Sequence, residues 1–178
     1  MWGDYQSKLR KTLLQLPLTS PPEPWKCVGQ FSVGGLTAIG YAPESDLLLA
    51  VSHQGRGLFN CRTGDRIARD YETTWDGLDQ RRLVSPGIDV LSDTTFRLAG
   101  LHGGGLPLIS PDGWCLHVVP LPWPEHFVFL SEARNSNQFA QWLKIAGDFP
   151  GEFRACGFSE TGDSFVIAAS SDLLIFTR

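Results

Sequence analysis

The chain has 178 residues, of which 42% are hydrophobic and 19% are charged, and its formal net charge is −4. This composition is typical of a globular protein, and the length predicts a single domain spanning residues 1–178. Nineteen glycines and twelve prolines predict many turns between short strands, which excludes a coiled coil, a collagen-like chain and a helical bundle.

The first predicted element is a short amphipathic helix. Its apolar positions recur at helical spacing, and they are Tyr5, Leu9, Leu13 and Leu16. Residues 17–24 contain four prolines and cannot continue the helix, so we expect an extended connector there. The helix and the connector together occupy residues 1–24.

Residues 25–130 are predicted to form antiparallel β-meanders. Apolar or alternating segments at residues 46–52, 56–61 and 66–72 are separated by short polar turns that contain glycine. Because turns this short join neighbouring strands, the three segments predict one continuous meander.

A second helix is predicted within residues 131–147. Asn135 and Gln138 have the spacing of a capping box, apolar residues from Phe139 to Ala146 fall on one helical face, and Gly147 stands at the expected end. Residues 148–178 then return to strand patterning. The predicted fold class is therefore mainly β, with antiparallel meanders arranged as a propeller-like or sandwich structure, an N-terminal helix and one late helix.

An internal repeat is the most specific feature of the sequence. Residues 37–59 align without a gap on residues 154–176, at a constant offset of 117 residues. Each copy contains an aromatic residue, a polar turn, an apolar strand, a second turn and a second apolar strand. Shorter echoes of this pattern occur at residues 109–119 and 90–99.

The repeated segments carry a resemblance to a known family. Residues 41–68 look like one blade of a WD-repeat or related β-propeller, and residues 158–176 are similar to another. This resemblance implies a scaffold for protein interactions that has no chemistry of its own. The sequence departs from the family pattern, because its only Trp-Asp pair, Trp75–Asp76, follows the third strand of the meander.

The length of the chain also bears on closure of such a propeller. A blade takes about 40–45 residues and closure needs at least about four blades, whereas this chain has room for roughly three. Stacked or sandwiched meanders are therefore favoured over a closed ring. The sequence leaves open whether the C-terminal strand pairs with residues 25–31, which is how propellers close on themselves.

Compartment and ligands are predicted mainly by exclusion. The longest nearly uncharged apolar stretch, residues 47–52, is far below the roughly 20 residues of a membrane span, and no signal peptide is recognised, so we expect a cytoplasmic protein that binds no membrane. Net acidity without a basic run argues against nucleic acid. The four cysteines lack metal-ligand spacing, so we expect buried free thiols, no metal and no cofactor.

One glycine-rich segment suggests a catalytic alternative. His102 and residues 103–105 match the oxyanion-hole loop of lipases and esterases, which works with a serine on a strand–turn–helix elbow. The nearest serine, Ser159, lacks the second glycine of that motif and begins a predicted strand. We therefore favour a flexible turn and predict no catalytic residue, with a small hydrolase using His102 as the alternative.

Two surface segments are candidates for binding another protein. Acidic and aromatic residues cluster in the first segment, and its candidate contacts are Asp70, Tyr71, Glu72, Trp75, Asp76 and Asp79. Such a segment supplies anchors and electrostatic steering for a basic partner, although a solvated loop with Trp75 folded onto the core is the alternative. In the second segment, two prolines stiffen a turn that presents Trp123 and His126, and the alternative is that Trp123 caps the core.

These observations lead to a functional hypothesis. We expect a non-enzymatic protein-binding module, and a concrete version is a bacterial immunity-type protein that neutralises a toxic enzyme by stoichiometric binding. Such a protein needs a rigid fold and a complementary surface but no chemistry. A homo-oligomeric structural subunit, joined through a free strand edge near Phe176, is a further alternative.

Overall fold

The computed structural model describes residues 2–71, 79–121 and 123–178, and the chain is mainly β with an N-terminal helix. The predicted first helix is confirmed as α1 (Trp2–Gln15). The strands that follow are β1 (Lys26–Ser32), β2 (Leu36–Tyr41), β3 (Leu47–Ser52), β4 (Gly55–Asn60), β5 (Asp65–Asp70), β6 (Val84–Pro86), β7 (Thr95–Arg97), β8 (Ala99–Gly100), β9 (Trp114–Pro120), β10 (His126–Glu132), β11 (Leu143–Ala146), β12 (Phe153–Phe158), β13 (Ser164–Ala169) and β14 (Asp172–Thr177).

These strands form antiparallel sheets in the described part of the chain. The first sheet has the order β5-β4-β3-β2-β8, and the C-terminal sheet has the order β1-β14-β13-β12. Strands β11, β10 and β9 make a third sheet in that order, and β6 pairs with β7 in a hairpin. The meander predicted between residues 46 and 72 is confirmed as β3, β4 and β5.

The sequence repeat is a structural repeat. Strands β2, β3 and β4 coincide in length with β12, β13 and β14, and each pair begins and ends at positions that are 117 residues apart. The register is also shared, since Gly40 lies opposite Leu49 in the first sheet as Gly157 lies opposite Val166 in the C-terminal sheet. The chain thus contains two copies of one three-stranded antiparallel unit.

The two copies obtain their fourth strand differently. In the first sheet, β5 follows β4 directly and pairs with it, whereas in the C-terminal sheet β14 pairs with β1 from the beginning of the chain. The pairing that the sequence left open therefore exists. The expected free strand edge near Phe176 is therefore wrong, because β14 has a neighbour on each side, while the homo-oligomer alternative itself stays a prediction.

The sheets are stacked on one another, and a cluster of apolar side chains fills the space between each pair of neighbours. One face of the first sheet packs on the C-terminal sheet through residues such as Leu48 and Val166. The opposite face of the C-terminal sheet packs on the third sheet, and the opposite face of the first sheet packs on the β6–β7 hairpin around Phe96. Each copy of the repeat therefore lies between two neighbours.

The outer face of the third sheet is covered by the N-terminal helix. Leu13 of α1 is buried against Phe129 and Trp142. The Lys144 side chain is also buried, and its Nζ donates to the Leu14 carbonyl at 2.9 Å, so it satisfies a carbonyl at the end of the helix. In the described residues no closed ring of sheets is formed.

The predicted late helix within residues 131–147 is wrong. Two short 3₁₀ segments, Ala133–Asn135 and Phe139–Gln141, are followed by β11, whose Leu143 pairs with Leu130 of β10. Gly147 is needed for packing rather than for a helix end, because a Cβ there would lie 2.1 Å from the Phe127 ring. The local apolar pattern fits a helix, but pairing with a distant strand decides the outcome.

Candidate partner-binding surface

Because neighbouring strands are antiparallel, the turns lie at two ends of the stacked sheets. The upper rim consists of the turns at residues 42–46, 61–64, 110–113 and 159–163, which charged side chains connect to one another. The lower rim consists of the opposite strand ends, and it includes residues 53–54, 71, 101–105 and 121–125. All the described partner-binding candidates belong to the lower rim or to the segments that lead into it.

A ladder of alternating charges crosses the upper rim. Arg62 contacts Asp163 and lies 3.8 Å from Asp46, while Arg178 contacts Asp112 and lies 3.3 Å from Asp163. The three acids, Asp46, Asp163 and Asp112, lie in the turns at the same end of three different sheets. The two arginines therefore connect these three turns to one another. With every guanidinium between two carboxylates, this rim offers little free charge to a ligand.

A buried polar cluster lies beneath that ladder. The Ser164 hydroxyl donates to Asp46 at 2.6 Å, Thr161 Oγ1 contacts both Asp46 oxygens at 3.0 Å, and the Tyr41 hydroxyl lies 3.2 Å from Ser164. Burial raises the pKa of Tyr41 well above its ordinary value, so the phenol stays protonated. The hydrogen bond between Ser164 and Asp46 joins the two copies of the repeat. Because Ser164 is fully buried, no substrate can reach its hydroxyl group.

The residues of the hydrolase alternative are not brought together. His102 is exposed at the lower rim, whereas Ser159 is buried in an upper-rim turn. The glycines form a tight turn in which Gly100 and Gly103 exchange backbone hydrogen bonds of 2.9 and 3.0 Å. Gly104 has a φ of +82°, and a Cβ there would lie 2.1 Å from the Leu98 carbonyl oxygen. Backbone geometry therefore accounts for Gly103 and Gly104, which both have a positive φ.

Trp123 is the most exposed large apolar side chain among the described residues. It lies in the lower-rim turn between β9 and β10, and 79% of its surface is accessible. The alternative in which Trp123 caps the core is therefore wrong. Two contacts attach the ends of this turn to the rest of the protein. Leu121 is buried, and the His126 ring stacks on the Phe153 ring with centroids 5.3 Å apart.

The first candidate segment is only partly described. Tyr71 is 70% exposed at the end of β5, and the Arg69 guanidinium lies 4.4 Å from its ring. Asp70 forms an ion pair of 2.6 Å with Arg56, so its charge is balanced within the first sheet. The other candidates in residues 72–78, which are Glu72, Trp75 and Asp76, lie outside the described residues.

Asp79 has a structural role in addition to any contact with a partner. One of its carboxylate oxygens accepts hydrogen bonds from the backbone N–H groups of Arg81 and Arg82, at 3.0 and 2.9 Å. Its own backbone exchanges hydrogen bonds with Val84. This acid therefore stabilises the turn that begins the β6–β7 hairpin.

The structure also shows a cleft that sequence analysis missed. We name it the arginine cleft: a depression of about 80 Å³ between the first sheet and the end of β1, lined by Arg56, Arg66 and Arg69. From the sequence, no site is predicted at these arginines. The pairing of β4 with β5 and the approach of β1 create the cleft, and neither is visible in the local pattern.

The cysteines are free thiols, and one of them differs from the prediction. Cys61, Cys115 and Cys156 are buried as expected, whereas Cys27 is exposed. Burial raises the pKa of both Cys61 and Cys156 to about 12, so these thiols stay protonated and unreactive near neutral pH. Across the described residues, no three His, Cys, Asp or Glu side chains group together in a way that could hold a metal ion.

Comparisons with other proteins add no family to this description. The chain matches no known family model, and no curated protein is significantly similar to it. None of the described helices is both long enough and apolar enough to cross a membrane.

Proposed function

We propose that this chain is a non-enzymatic protein-binding module that uses its lower rim. Exposure of Trp123 on a supported turn is the observation that carries the proposal. Tryptophan and tyrosine are enriched among the residues that dominate binding energy, because each buries a large area and loses little conformational freedom. A partner that covers this ring would remove a large apolar area from water, which favours binding.

The surroundings of Trp123 support the same proposal. Tyr71 presents a second exposed aromatic ring on the same rim, on a different sheet. The two rings are separated by the C-terminal sheet, so a protein surface rather than a small molecule would be needed to contact both. The rigid packing of the sheets keeps their separation constant, which lowers the entropic cost of binding.

The partner we propose is a basic protein, and the concrete case is a toxic enzyme bound in a one-to-one complex in the cytoplasm. The acidic residues of segment 70–79 would steer such a partner towards the lower rim. The likeness of the repeated units to propeller blades agrees with a role as an interaction scaffold. No catalytic residue is assigned in this proposal.

The test is to purify a stoichiometric partner from host lysate with the tagged chain and to titrate it calorimetrically against three forms of the protein. We expect Trp123→Ala to weaken binding by about 2 kcal/mol or more, as for an interface anchor. Val90→Ala is the matched control, because Val90 is 75% exposed in the segment between β6 and β7, outside the lower rim, and should not change the affinity.

Two outcomes would contradict the proposal. One is a partner that binds Trp123→Ala as tightly as it binds the unchanged chain, and the other is the absence of any stoichiometric partner. The hydrolase alternative is checked in parallel by ester-hydrolysis assays, and activity that His102→Ala abolishes would favour that alternative.

A further inference from the structure

The arginine cleft has a chemistry different from that of the lower-rim aromatic residues, although its Arg69 guanidinium lies 4.4 Å from the Tyr71 ring. In a chain of net charge −4, the charged residues that line this cleft within the described part of the chain are three arginines. Polar groups from Ser32, Ser52 and Gln54 complete the opposite wall. A local excess of positive charge in an acidic protein points to an anionic ligand.

The arginines differ in how much of their charge is already balanced. Arg56 is held in place by Asp70 at 2.6 Å and by the Pro86 carbonyl at 2.9 Å. Arg66 and Arg69 are exposed, and among the described residues neither forms an ion pair with a carboxylate. Two guanidinium groups therefore remain available to a ligand in this cleft.

A β-bulge places both available arginines on one face of β5. Residues 66 and 69 would point to opposite faces of a regular strand. Here Phe59 pairs with Arg66 and Leu58 pairs with Ala68, so Ile67 is the extra residue and the side-chain alternation is reset. Bulges are frequent next to functional sites, where they redirect a side chain.

A glycine keeps the floor of the cleft open. Gly57 pairs with Arg69, and a Cβ on Gly57 would lie 3.0 Å from the Phe59 ring and 3.8 Å from Arg66 Cδ. A side chain at this position would thus enter the space between the ring and the arginine. The equivalent residue of the C-terminal sheet is Leu174, which packs into an apolar cluster instead.

From these observations we infer that the arginine cleft binds a phosphate group. Two available guanidinium groups balance the charge of a phosphate dianion, whereas a single carboxylate would leave one of them unbalanced. Guanidinium groups also bind phosphate oxygens through paired hydrogen bonds. The volume of about 80 Å³ suits one such group rather than a large ligand.

The direct test is to titrate inorganic phosphate into the full chain at constant ionic strength and to follow the arginine Nε–Hε signals by NMR. We expect saturable shifts for Arg66 and Arg69 and none for Arg81. Arg66→Gln with Arg69→Gln should weaken phosphate binding at least tenfold. Arg81→Gln with Arg82→Gln removes the same charge from another surface and should leave the binding unchanged.

Two further arms identify the anion and its source. Acetate should bind at least tenfold more weakly than phosphate, and equal binding would overturn the assignment. A phosphoserine peptide that binds more tightly than inorganic phosphate would show that the phosphate is carried on a protein, whereas the reverse order would show a free anion. Absence of saturable shifts with phosphate in the unchanged chain would overturn the inference, whatever the variants do.

Discussion

The first sheet and the C-terminal sheet share three strands of equal length, yet each obtains its fourth strand from a different part of the chain. In the first sheet β5 is local, and in the C-terminal sheet β1 comes from more than a hundred residues away in sequence. The local strand carries charges and forms one side of a polar cleft. The distant strand connects the two chain ends, so it contributes to closure of the fold.

The two copies also use equivalent positions differently. Gly57 leaves space in front of the first sheet, whereas Leu174 fills the equivalent space in the C-terminal sheet. Asp46 is buried in a cluster of hydroxyl groups, whereas Asp163 lies in the exposed charge ladder. The shared frame is thus compatible with one copy specialised for packing and another that offers a binding cleft.

The largest expected effect comes from the residue that precedes the distant strand. Trp25 is buried beside β1, with its ring centroid 5.0 Å from that of Phe165 and 5.7 Å from that of Phe158. We expect Trp25→Ala to lower the free energy of unfolding by about 3–5 kcal/mol in urea denaturation, because a large cavity is left. Trp123→Ala is the matched control, and its effect should stay within about 0.5 kcal/mol. Similar losses in both variants would contradict the assigned burial.

The second-largest effect is expected at Asp46, one of two acids at equivalent positions of the repeat. Its replacement should cost more stability than replacement of the other acid, Asp163. Asp46→Ala leaves the buried hydroxyl of Ser164 without its carboxylate acceptor and removes the contact of Asp46 with Thr161, and we expect a loss of about 2–4 kcal/mol in stability. Asp163→Ala removes two partly exposed ion pairs, with Arg62 and with Arg178, and should cost about 1 kcal/mol or less. Chemical denaturation of the two variants gives both values. An equal loss would show that the two turns are not specialised.

The repeated glycines should respond alike, which tests the similarity of the copies. A Cβ on Gly40 would lie 2.2 Å from the Arg97 carbonyl oxygen, and one on Gly157 would lie 2.2 Å from Leu106 Cβ. We expect Gly40→Ala and Gly157→Ala each to lose about 1–3 kcal/mol in thermal or urea unfolding. Gly105→Ala, where a Cβ meets nothing within 4 Å, is the control. Tolerance of either repeated glycine would contradict the close packing at that copy.

Alkaline pH gives a smaller, graded test, since one deeply buried thiol, Cys61, follows β4 of the first sheet and another, Cys156, lies in β12 of the C-terminal sheet. Cys61 and Cys156 keep their protons to a pKa of about 12 in the native state, while thiols of the unfolded chain ionise above about pH 8.5. The unfolded state then binds fewer protons, so stability falls as pH rises from about 9 towards 12. Each thiol should contribute a slope of about 1.4 kcal/mol per pH unit.

Urea midpoints between pH 9 and pH 10 measure this slope. Cys61→Ala and Cys156→Ala should each lower the slope by about 1.4 kcal/mol per pH unit, which is the contribution of one thiol. A slope that neither substitution alters would show that other groups cause the alkaline loss.

Local patterns made the first sheet and the repeat predictable from sequence. The turns at residues 42–46 and 159–163 are short and polar, and an apolar strand follows each of them. The order of turns and strands is the same in both copies. A turn and the strand that follows it are close in sequence, so both can be recognised from a short stretch of residues. The N-terminal helix was predictable for the same reason, because its apolar spacing is local.

Features that depend on distant contacts were not predictable. The segment from Phe139 to Ala146 satisfies a helical pattern, and only its pairing with β10 makes its second half a strand. Exposure of Trp123 depends on what packs nearby, and burial of Cys115 but not Cys27 depends on sheet neighbours. The arginine cleft needs both a bulge and the approach of β1, which no local pattern reports.

Native-state hydrogen exchange of β1, compared with β14 and β5, tests the central structural claim most directly. If β1 completes the C-terminal sheet, its hydrogen-bonded amides should exchange with the same opening free energy as those of β14. They should also be at least as protected as those of the edge strand β5. Exchange of β1 at the rate of an unprotected chain, while β14 stays protected, would contradict the account.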